Sequence, residues 1–333
     1  MQNTIVVITS IFPPTEAVKK FSEKFPGKVI IVGDKKSPSD YKCDDVNFIP
    51  FDVQLNSKFE ISKLLPPNHY CRKMLGYLFA IEAGATQIID TDDDNIPKAL
   101  YSFPEFNGEF KSLKNTDGFV NVYELYSSQK IWPRGLPLRL INQTTIDKDQ
   151  ISKKNCNVGI WQALADEDPD VDAIYRLTSD VPCNFIDFGE VTLPRNVISP
   201  FNSQNTLFRS ELFPLMYLPT TVTFRYTDIL RSYIAQPIMW ANGYELGFCN
   251  SSVIQKRNPH DYTKDFESEI PMYITCEQVV KICMKSIQEG SSISDNLLNC
   301  YSELAKANIV ESSEIFLLEK WLIDLDSINK NRK

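Results

Sequence analysis

The sequence predicts an α/β protein built around a parallel sheet, because apolar β-branched runs alternate with amphipathic helical segments. The runs "TIVVITSI" at 4–11 and "KVIIVGD" at 28–34 have the continuous apolar character of strands that are buried on both faces. A helical pattern at 15–25 separates them, and another at 69–85 leads into the strand "TQIID" at 86–90. Strands that are joined by helices pair in parallel through crossover connections.

The first strand and helix are delimited by residues with strong local preferences. Pro13 and Pro14 end the strand at 4–11, because proline cannot donate to a sheet ladder. Thr15 can accept a hydrogen bond from the first turn of the helix at 15–25. Apolar side chains then recur at every fourth position, which predicts one apolar stripe packed on the sheet.

The following elements continue the same pattern. The segment "NFIPF" at 47–51 predicts a short third strand. In the helix at 69–85, Leu75 and Phe79 share one face, and Gly84 is a plausible end. Ligands of open α/β sheets bind beyond the carboxyl ends of the strands. The polar residues that follow the strands are therefore the first candidates for a binding site.

The remainder of the chain is less regular and then becomes helical. Between 101 and 270 it is rich in proline and aromatic residues, with short strands such as the one predicted at 118–125. Beyond Thr275 the apolar spacing predicts three helices, at 276–289, 293–307 and 311–326. We expect one α/β domain over 1–270, with a helical appendage over 271–333 packed on it.

The composition favours an enzyme that acts on a small molecule. The 333 residues carry 43 acidic and 35 basic side chains, for a formal net charge of -8. A general nucleic-acid binder needs a basic face, so nucleic acid is not an expected partner. No apolar run reaches the roughly 18 to 20 residues of a membrane span. A homo-oligomer is compatible with the sequence.

The cysteines and histidines indicate which cellular compartment and which kind of metal site to expect. The eight cysteines form no CxxC pair, and only two histidines are present, which disfavours a Cys/His zinc site. The N-terminus lacks a basic segment and a small-residue cleavage site, so we interpret it as the first strand. Scattered thiols suit a reducing compartment. These features predict a cytoplasmic protein.

The stretch "IIDTDDDNIP" at 88–97 gathers four carboxylates within five positions directly after a buried strand. A solvated acidic turn is one interpretation. A calcium loop of the EF-hand type is another, but it requires glycine and glutamate where Asn95 and Tyr101 stand. The third is an Asp-X-Asp site, in which two carboxylates hold Mn²⁺ or Mg²⁺ and the metal binds a diphosphate. We favour the third interpretation.

Eight motifs follow one another along the chain: "ITSIFPPTEAVKKF", "VIIVGDKKSPSDY", "YCRKMLGYLFAIEAGATQIIDTDDDN", "WPRGLPL", "DPDVDAIYRLT", "PFNSQNTLF", "TDILRSYIAQPIMW" and "QKRNPHDYTKDFESE". Together they closely resemble the STELLO family of glycosyltransferases over most of residues 4 to 268. More distantly, parts of the same segments are similar to the reversibly glycosylated polypeptides, which are UDP-arabinose mutases. Both resemblances imply a GT-A fold, a Rossmann-like sheet that binds a nucleotide-sugar and carries an Asp-X-Asp metal site.

The resemblance also bears on localisation. STELLO proteins are Golgi membrane proteins with a transmembrane anchor, and this sequence offers no apolar run for one. The Golgi lumen is therefore the alternative to the cytoplasm if the chain is an anchorless member or a fragment.

We predict that Asp92 and Asp94 bind the metal ion, with the pair Asp90 and Asp92 as the alternative register. In the favoured register, Asp90 and Asp93 lie beside the metal pair, where they can contact ribose or sugar hydroxyls. Many GT-A enzymes take a third metal ligand from a late loop, and the resemblance suggests His260 for this role. An imidazole ligand would tilt the preference from Mg²⁺ toward Mn²⁺.

The donor side of the predicted site follows the first two strands and the helix that precedes the acidic segment. The resemblance places the nucleoside near residues that close the first strand, and Asp34 can accept a hydrogen bond from uracil or ribose. A cation at the start of the helix at 69–85 can pair with the diphosphate or with the aspartates. The candidates are Thr9, Ser10, Pro13, Asp34, Arg72 and Lys73.

The acceptor side is predicted largely from the resemblance. Asp228, near a helix start, is the candidate general base that deprotonates the acceptor hydroxyl, and Arg231 lies on the same helix face. Arg134 corresponds to the arginine that carries the sugar in the mutases, or it binds phosphate. Hydroxyl-binding side chains are expected in "DPDVDAIYR", which contains Asp168, Asp170, Asp172 and Arg176.

The sequence thus predicts a metal-dependent glycosyltransferase that moves a sugar from a nucleotide-sugar, with UDP as the favoured nucleotide, to a hydroxyl of a glycan or small acceptor. The first alternative is a UDP-sugar mutase or self-glycosylating protein that uses Arg134. The second is an inactive GT-A scaffold that organises partner glycosyltransferases.

Overall fold

The computed structural model describes residues 3–179, 181–257 and 260–332. Twelve strands lie within these ranges. In chain order they are β1 Thr4–Thr9, β2 Val29–Val32, β3 Val46–Ile49, β4 Gln87–Thr91, β5 Asn95–Pro97, β6 Asn107–Leu113, β7 Gly118–Phe119, β8 Ile151–Asp166, β9 Val191–Leu193, β10 Val197–Ile198, β11 Asn205–Arg209 and β12 Glu245–Gln255.

The same ranges contain nine α-helices and several short 3-10 helices, among them Glu60–Lys63 and Tyr70–Arg72. The α-helices are α1 Glu16–Lys24, α2 Phe51–Leu55, α3 Lys73–Glu82, α4 Tyr123–Tyr126, α5 Ala173–Thr178, α6 Thr227–Ala241, α7 Tyr262–Ser286, α8 Ile293–Lys306 and α9 Ser313–Asn331.

One ten-stranded mixed sheet forms the centre of the protein, in the order β3-β2-β1-β4-β11-β8-β6-β9-β12-β5. The first four strands are parallel, as the sequence predicts, and β11 then pairs antiparallel with β4. At this junction Asp90 lies opposite Thr206 and Thr91 lies opposite Asn205. The predicted fold class, a Rossmann-type mixed sheet flanked by helices, is confirmed. The acidic segment follows β4, where the four parallel strands meet the mixed remainder of the sheet.

Helix α3 packs against the parallel half at very short range. A Cβ atom at Gly76 would lie 2.5 Å from both Val32 Cγ2 and Val7 Cγ1, which is too close for any side chain. The glycine therefore allows α3 to approach β1 and β2. This close contact fixes the N-terminal end of α3, with Lys73, beside the end of β4.

Several predicted elements are confirmed and one is wrong. Thr15 caps α1 by accepting a hydrogen bond from Val18 N at 3.2 Å. The helix predicted at 69–85 is a 3-10 turn followed by α3. The strand predicted at 118–125 is wrong: only Gly118–Phe119 is extended, and α4 follows it. The aromatic, β-branched composition of this segment serves burial rather than pairing, since Tyr123, Leu125 and neighbouring side chains are buried.

The C-terminal helices pack on the α/β part at several points. Helix α7 begins at Tyr262, well before the predicted start at 276, and continues through Pro271. The division into 1–270 and 271–333 stays a prediction, and its boundary lies inside α7. On α9, Asp324 accepts hydrogen bonds from Glu60 N at 2.8 Å and Ile61 N at 3.0 Å. The last helix is thereby anchored to the parallel half.

Glu314, near the start of α9, makes the second anchor. Its buried carboxylate accepts hydrogen bonds from Tyr217 Oη, from Thr220 N at 2.9 and 3.0 Å, and from Thr221 N at 2.7 Å. The segment before α6 is therefore held by the C-terminal helix. Across the described ranges, no helix combines the length and the hydrophobicity that crossing a bilayer requires.

Candidate functional site

A cavity of about 310 Å³ opens at the carboxyl ends of β1, β2 and β4. Its opposite wall comes from the segment before α6, from the first turn of α6 and from residues that follow β12. Eleven of the predicted site residues line it, although they come from distant parts of the sequence: Thr9, Ser10, Asp34, Arg72, Asp92, Asp93, Asp94, Arg134, Asp170, Asp228 and His260.

The turn after β1 is tied to the acidic segment. Ser10 Oγ donates a hydrogen bond to the carboxylate of Asp93, and Thr15 Oγ1 donates to the backbone oxygen of Asp93 at 2.5 Å. These bonds close the space between β1 and β4 at the floor of the cavity. They leave Asp92 and Asp94 on either side of a fixed Asp93.

Behind the cavity, two buried cations hold the end of β4. Lys73 Nζ lies 2.7 Å from Asp90 Oδ1 and 2.9 Å from Asp92 Oδ1, and it donates to Thr91 O at 2.6 Å. Arg231 from α6 donates to Asp90 Oδ2 at 3.0 Å. Burial alone would lower the pKa of Lys73, but Asp90 and Asp92 raise it above its usual value. Both cations therefore remain charged and neutralise the buried Asp90.

The three aspartates that face the cavity are less well compensated. Burial raises the pKa of Asp92 to about 6, although Lys73 opposes the shift. Burial raises the pKa of Asp93 to about 7, against the hydrogen bond from Ser10. The pKa of Asp94 is also raised by burial, and its Oδ1 atom is buried without a hydrogen-bond partner among the described residues. Three carboxyl groups are thus gathered here, and the neighbouring cations compensate them only in part.

This arrangement fits a divalent cation with hard oxygen ligands. A carboxylate pair and an unpartnered buried oxygen at Asp94 are groups that Mn²⁺ or Mg²⁺ would satisfy. In the described ranges, no three His, Cys, Asp or Glu side chains converge as ligands of one metal. His260 lines the same cavity, but its Nδ1 atom lies 3.0 Å from Asp265 Oδ2. The predicted trio of ligands is thus not preformed within the described ranges.

Asp34, just after β2, and Arg72, at the end of the 3-10 turn before α3, both line the cavity. Arg72 is 1% exposed and donates to Gln54 Oε1 at 2.8 Å and to Leu65 O at 3.0 Å. Its Nη2 atom is buried and finds no hydrogen-bond acceptor in the described part of the chain. Burial lowers the pKa of Arg72 and Asp34 opposes that shift, so the two groups are electrostatically coupled. The cavity lining therefore includes a carboxylate at Asp34 and a guanidinium at Arg72 with one unpartnered nitrogen.

On the opposite wall, Arg134 is held between two carboxylates. It donates to Asp170 through Nε at 2.9 Å and Nη2 at 2.8 Å, and to Asp228 through Nη1 and Nη2, both at 3.0 Å. It also donates to the backbone oxygen of Arg225. Burial would raise the pKa of Asp170, but the guanidinium groups of Arg134 and Arg225 lower it to about 2. Every nitrogen of Arg134 is engaged in this clamp.

Asp228 completes the clamp from the first turn of α6. Its Oδ2 atom also accepts a hydrogen bond from Ser203 N at 3.2 Å, and its Oδ1 atom accepts one from Ile229 N at 3.1 Å. The side chain does not cap the helix in the usual way, because the cap position is Tyr226. Asp228 nevertheless lines the cavity, as the sequence predicts.

Six predicted residues do not line the cavity. Lys73, Asp90 and Arg231 form the buried support described above. Asp172 is fully buried, caps α5 by accepting from Tyr175 N at 2.8 Å, and accepts from Trp132 Nε1 at 2.7 Å. Arg176 instead forms an ion pair with Asp168, and Pro13 lies in the exposed turn after β1. The proposed acceptor contacts of Asp172 and Arg176 thus have no support from their positions.

The structure also brings residues to the cavity that sequence reasoning missed. Tyr70 Oη donates to Asp92 Oδ1 at 2.7 Å, and Gln255 Nε2 donates to Asp94 Oδ2 at 3.0 Å. Arg257 Nε donates to Asp168 Oδ2 at 3.1 Å, and its charge opposes the rise in the pKa of Asp94. Phe224 and Arg225 precede the predicted Asp228. The motif "TDILRSY" pointed to this region, but no spacing in it identifies these side chains.

The fold is a mixed α/β sheet with an acidic Asp-X-Asp segment at the end of β4, facing the cavity. Residues 225–331 match the family model "STELLO glycosyltransferases". This part of the chain is therefore similar to STELLO glycosyltransferases, and the resemblance predicted from the motifs is confirmed. The matched region includes α6 with Asp228 and crosses the predicted boundary at residue 270.

Two curated relatives from Arabidopsis thaliana align with nearly the whole chain. "Probable glycosyltransferase STELLO1" is 25% identical over 346 aligned positions, which cover 97% of this chain and 44% of the relative. "Probable glycosyltransferase STELLO2" is 25% identical and covers 96% of this chain and 44% of the relative. The chain thus spans less than half the length of these two proteins.

Solved structures show a more distant likeness. Glucosyl-3-phosphoglycerate synthase from Mycobacterium tuberculosis, in complex with Mn²⁺ and UDP-glucose, is 9% identical with a TM-score of 0.38, covering 87% of this chain and 81% of that chain. The same enzyme with phosphoglyceric acid is 10% identical with a TM-score of 0.37, and the match covers 87% of this chain and 82% of that chain. TM-scores below 0.5 do not establish a common fold.

The Arg134 clamp predicts a pH-dependent loss of stability in the variant Arg134→Met. At pH 7 the variant leaves two buried carboxylates unpaired, so we expect a loss of about 3 to 5 kcal/mol in denaturant unfolding. Asp170 has a folded pKa of about 2 and an unfolded pKa of about 3.9, so its stabilising contribution is present above pH 4. The difference between parent and variant should shrink as pH falls below about 4, when the carboxyl groups bind protons.

The matched control is Arg139→Met, because Arg139 pairs with Glu277 at the surface with a side chain that is 59% exposed. We expect this variant to lose less than about 1 kcal/mol. Equal losses in the two variants, or a loss at Arg134 that does not change with pH, would contradict the clamp.

Proposed function

We propose that the chain is a metal-dependent glycosyltransferase that moves a sugar from a nucleotide-sugar, with UDP as the favoured nucleotide, to a hydroxyl acceptor. The observation that carries this proposal is the cavity itself, where Asp92, Asp93 and Asp94 at the end of β4 face Arg134 and Asp228. In this proposal the donor diphosphate binds at the wall with the three aspartates, and the acceptor hydroxyl binds at the wall with Asp228. The STELLO-like character of the chain supports the same activity.

Asp92 and Asp94 would hold the divalent cation, which neutralises charge on the departing diphosphate. The chain's own contribution is to keep these carboxylates in place before the donor binds. Tyr70 and Lys73 orient Asp92, and Gln255 orients Asp94. Ser10 and Thr15 fix the intervening Asp93, so little rearrangement of the backbone accompanies binding.

The nucleoside fits the end of the cavity that contains Asp34 and Arg72. Uracil presents one N–H donor and carbonyl acceptors, and this pair offers a carboxylate and an unpartnered guanidinium Nη2. Arg257, whose charge acts on Asp94, is the candidate for a direct contact with the diphosphate. Arg72 therefore contributes to base recognition in this proposal, rather than to the diphosphate as the sequence predicts.

On the acceptor side, Asp228 is the candidate that receives the proton of the attacking hydroxyl. Its carboxylate reaches the cavity, and Arg134 holds it in one orientation. Arg134 also donates two hydrogen bonds to Asp170, the same number as to Asp228. Since each oxygen of Asp228 already accepts two hydrogen bonds, one bond must be released when the hydroxyl approaches.

The mutase alternative needs Arg134 as a sugar carrier, and its contacts disfavour that role. A nucleophilic guanidine must be neutral and exposed, whereas Arg134 is 5% exposed and donates to two carboxylates and a carbonyl. Asp170 and Asp228 raise its pKa above the usual value, against the effect of burial. The scaffold alternative has no specific observation in its favour.

The donor proposal predicts metal-dependent stabilisation by UDP. In the presence of Mn²⁺, UDP or a UDP-sugar at 100 times its dissociation constant should stabilise the protein by about 2.7 kcal/mol and raise the melting temperature. In EDTA the shift should be much smaller. Differential scanning fluorimetry with UDP, GDP, ADP and CDP measures both effects. The proposal fails if none of these nucleotides shifts the melting curve in Mn²⁺.

The acceptor proposal predicts unequal effects of Asp228→Asn and Asp170→Asn. Both variants weaken the clamp on Arg134, but only Asp228 is proposed to receive a proton. We expect Asp228→Asn to reduce transfer by roughly 10²- to 10⁴-fold, with donor affinity nearly unchanged. Asp170→Asn should reduce the rate of transfer much less. Equal losses in both variants would show that Asp228 acts only by holding Arg134.

A further inference from the structure

Three large apolar side chains line the cavity and yet remain exposed. They are Ile11 at 40%, Phe12 at 42% and Phe224 at 54% of their full accessible surface. Ile11 and Phe12 follow β1 on the wall proposed for the nucleotide. Phe224 lies across the cavity, immediately before Arg225 and four residues before Asp228. The most exposed of these rings therefore belongs to the wall proposed for the acceptor.

The ring of Phe224 is held in a defined orientation. Its centroid lies 5.6 Å from the ring of Tyr70 at an interplanar angle of 71°, and 6.2 Å from the ring of His69 at 73°. Both rings lie at steep angles to Phe224, and 54% of the accessible surface of Phe224 still remains exposed. Tyr70 also donates to Asp92, so Phe224 lies one side chain away from the proposed metal site.

The backbone that carries Phe224 is fixed on both sides. Thr223 Oγ1 donates to Ser268 O at 2.5 Å, and Arg225 N donates to Ser268 Oγ at 3.3 Å. Upstream, the buried Glu314 binds the amides of Thr220 and Thr221. The backbone of this loop is therefore fixed, while the phenyl ring of Phe224 stays largely exposed to solvent. An exposed ring on a fixed loop is available to bind a ligand.

We propose that Phe224 is the platform on which a pyranose ring of the acceptor stacks. One face of a pyranose carries several C–H groups that are apolar and slightly positive, and the face of a phenyl ring is apolar and negative. A sugar on Phe224 would present its hydroxyl groups toward Asp228, in the adjacent turn. This inference rests on the proposed function and narrows the acceptor to a glycan rather than a small aliphatic alcohol.

The test measures oligosaccharide binding to the 333-residue chain loaded with Mn²⁺ and UDP. The probes are cellotetraose, xylotetraose and mannotetraose, and the readouts are calorimetry and saturation-transfer NMR. We expect at least one probe to bind the parent protein. Phe224→Ala should weaken that binding by about tenfold or more, the range for loss of one stacked ring. Phe224→Trp should retain it.

Two further variants locate the effect. Phe316→Ala removes a ring that is 50% exposed on α9 outside the cavity lining, and it should bind the oligosaccharide as the parent does. Phe12→Ala removes the ring on the nucleotide wall, and it should weaken the binding of UDP rather than the binding of the oligosaccharide. Phe224→Ala should leave the affinity for UDP unchanged.

The proposal is overturned if no probe binds the parent, or if Phe224→Ala binds the oligosaccharide as well as the parent does. It is also overturned if Phe224→Ala weakens the binding of UDP instead, because the ring would then stack on the nucleobase. Failure of the proposed function has a different signature, because UDP would then not bind the parent protein in Mn²⁺. Oligosaccharide binding can be measured without UDP in that case, and loss of it in Phe224→Ala would still assign a sugar to this ring.

Discussion

The negative charge at the end of β4 is the constraint on which the rest of the site depends. Asp90 is fully buried, and it is stable there because Lys73 from α3 and Arg231 from α6 both reach it. These two contacts bring α3, which packs on β1 and β2, and α6, which precedes β12, to one strand end. The next three aspartates then face the cavity with only partial compensation. The divalent cation proposed above would supply the positive charge that this arrangement lacks.

A second charge cluster sets the opposite wall. Arg134 joins Asp170 to Asp228, so a segment before β8, the segment after β8 and helix α6 meet at one buried guanidinium. The C-terminal helix supports this wall through Glu314 and the parallel half through Asp324. The cavity is therefore defined by ion pairs and hydrogen bonds that cross between elements, and the hydrophobic core lies behind them.

The sequence predicted most of the parallel half because its signals are local. Continuous apolar runs, Thr15 as a cap and the acidic segment after a buried strand each depend on neighbouring residues. Of the eleven predicted residues that line the cavity, those from Thr9 to Asp94 were found at the ends of strands or the start of a helix. Arg134, Asp170, Asp228 and His260 were found through the resemblance of their motifs. The strand at 118–125 and the roles of Asp172 and Arg176 could not be judged locally. Asp172 caps α5 and binds Trp132, and that pairing exists only after the chain has folded. Phe224, Tyr70 and Arg257 were missed for the same reason, since single aromatic or basic residues carry no periodic pattern.

The most direct test of the central claim is a calorimetric titration of Mn²⁺ at a fixed saturating concentration of UDP. The parent protein is compared with Asp92→Asn, Asp94→Asn and Asp52→Asn, where Asp52 is an exposed carboxylate in the first turn of α2 and gives the same change in net charge. We expect Asp92→Asn and Asp94→Asn each to weaken Mn²⁺ by roughly tenfold or more, which is about 1.4 kcal/mol, and Asp52→Asn to match the parent. Equal Mn²⁺ affinity in all four proteins would contradict the account, because the acidic segment after β4 would then not be the metal site.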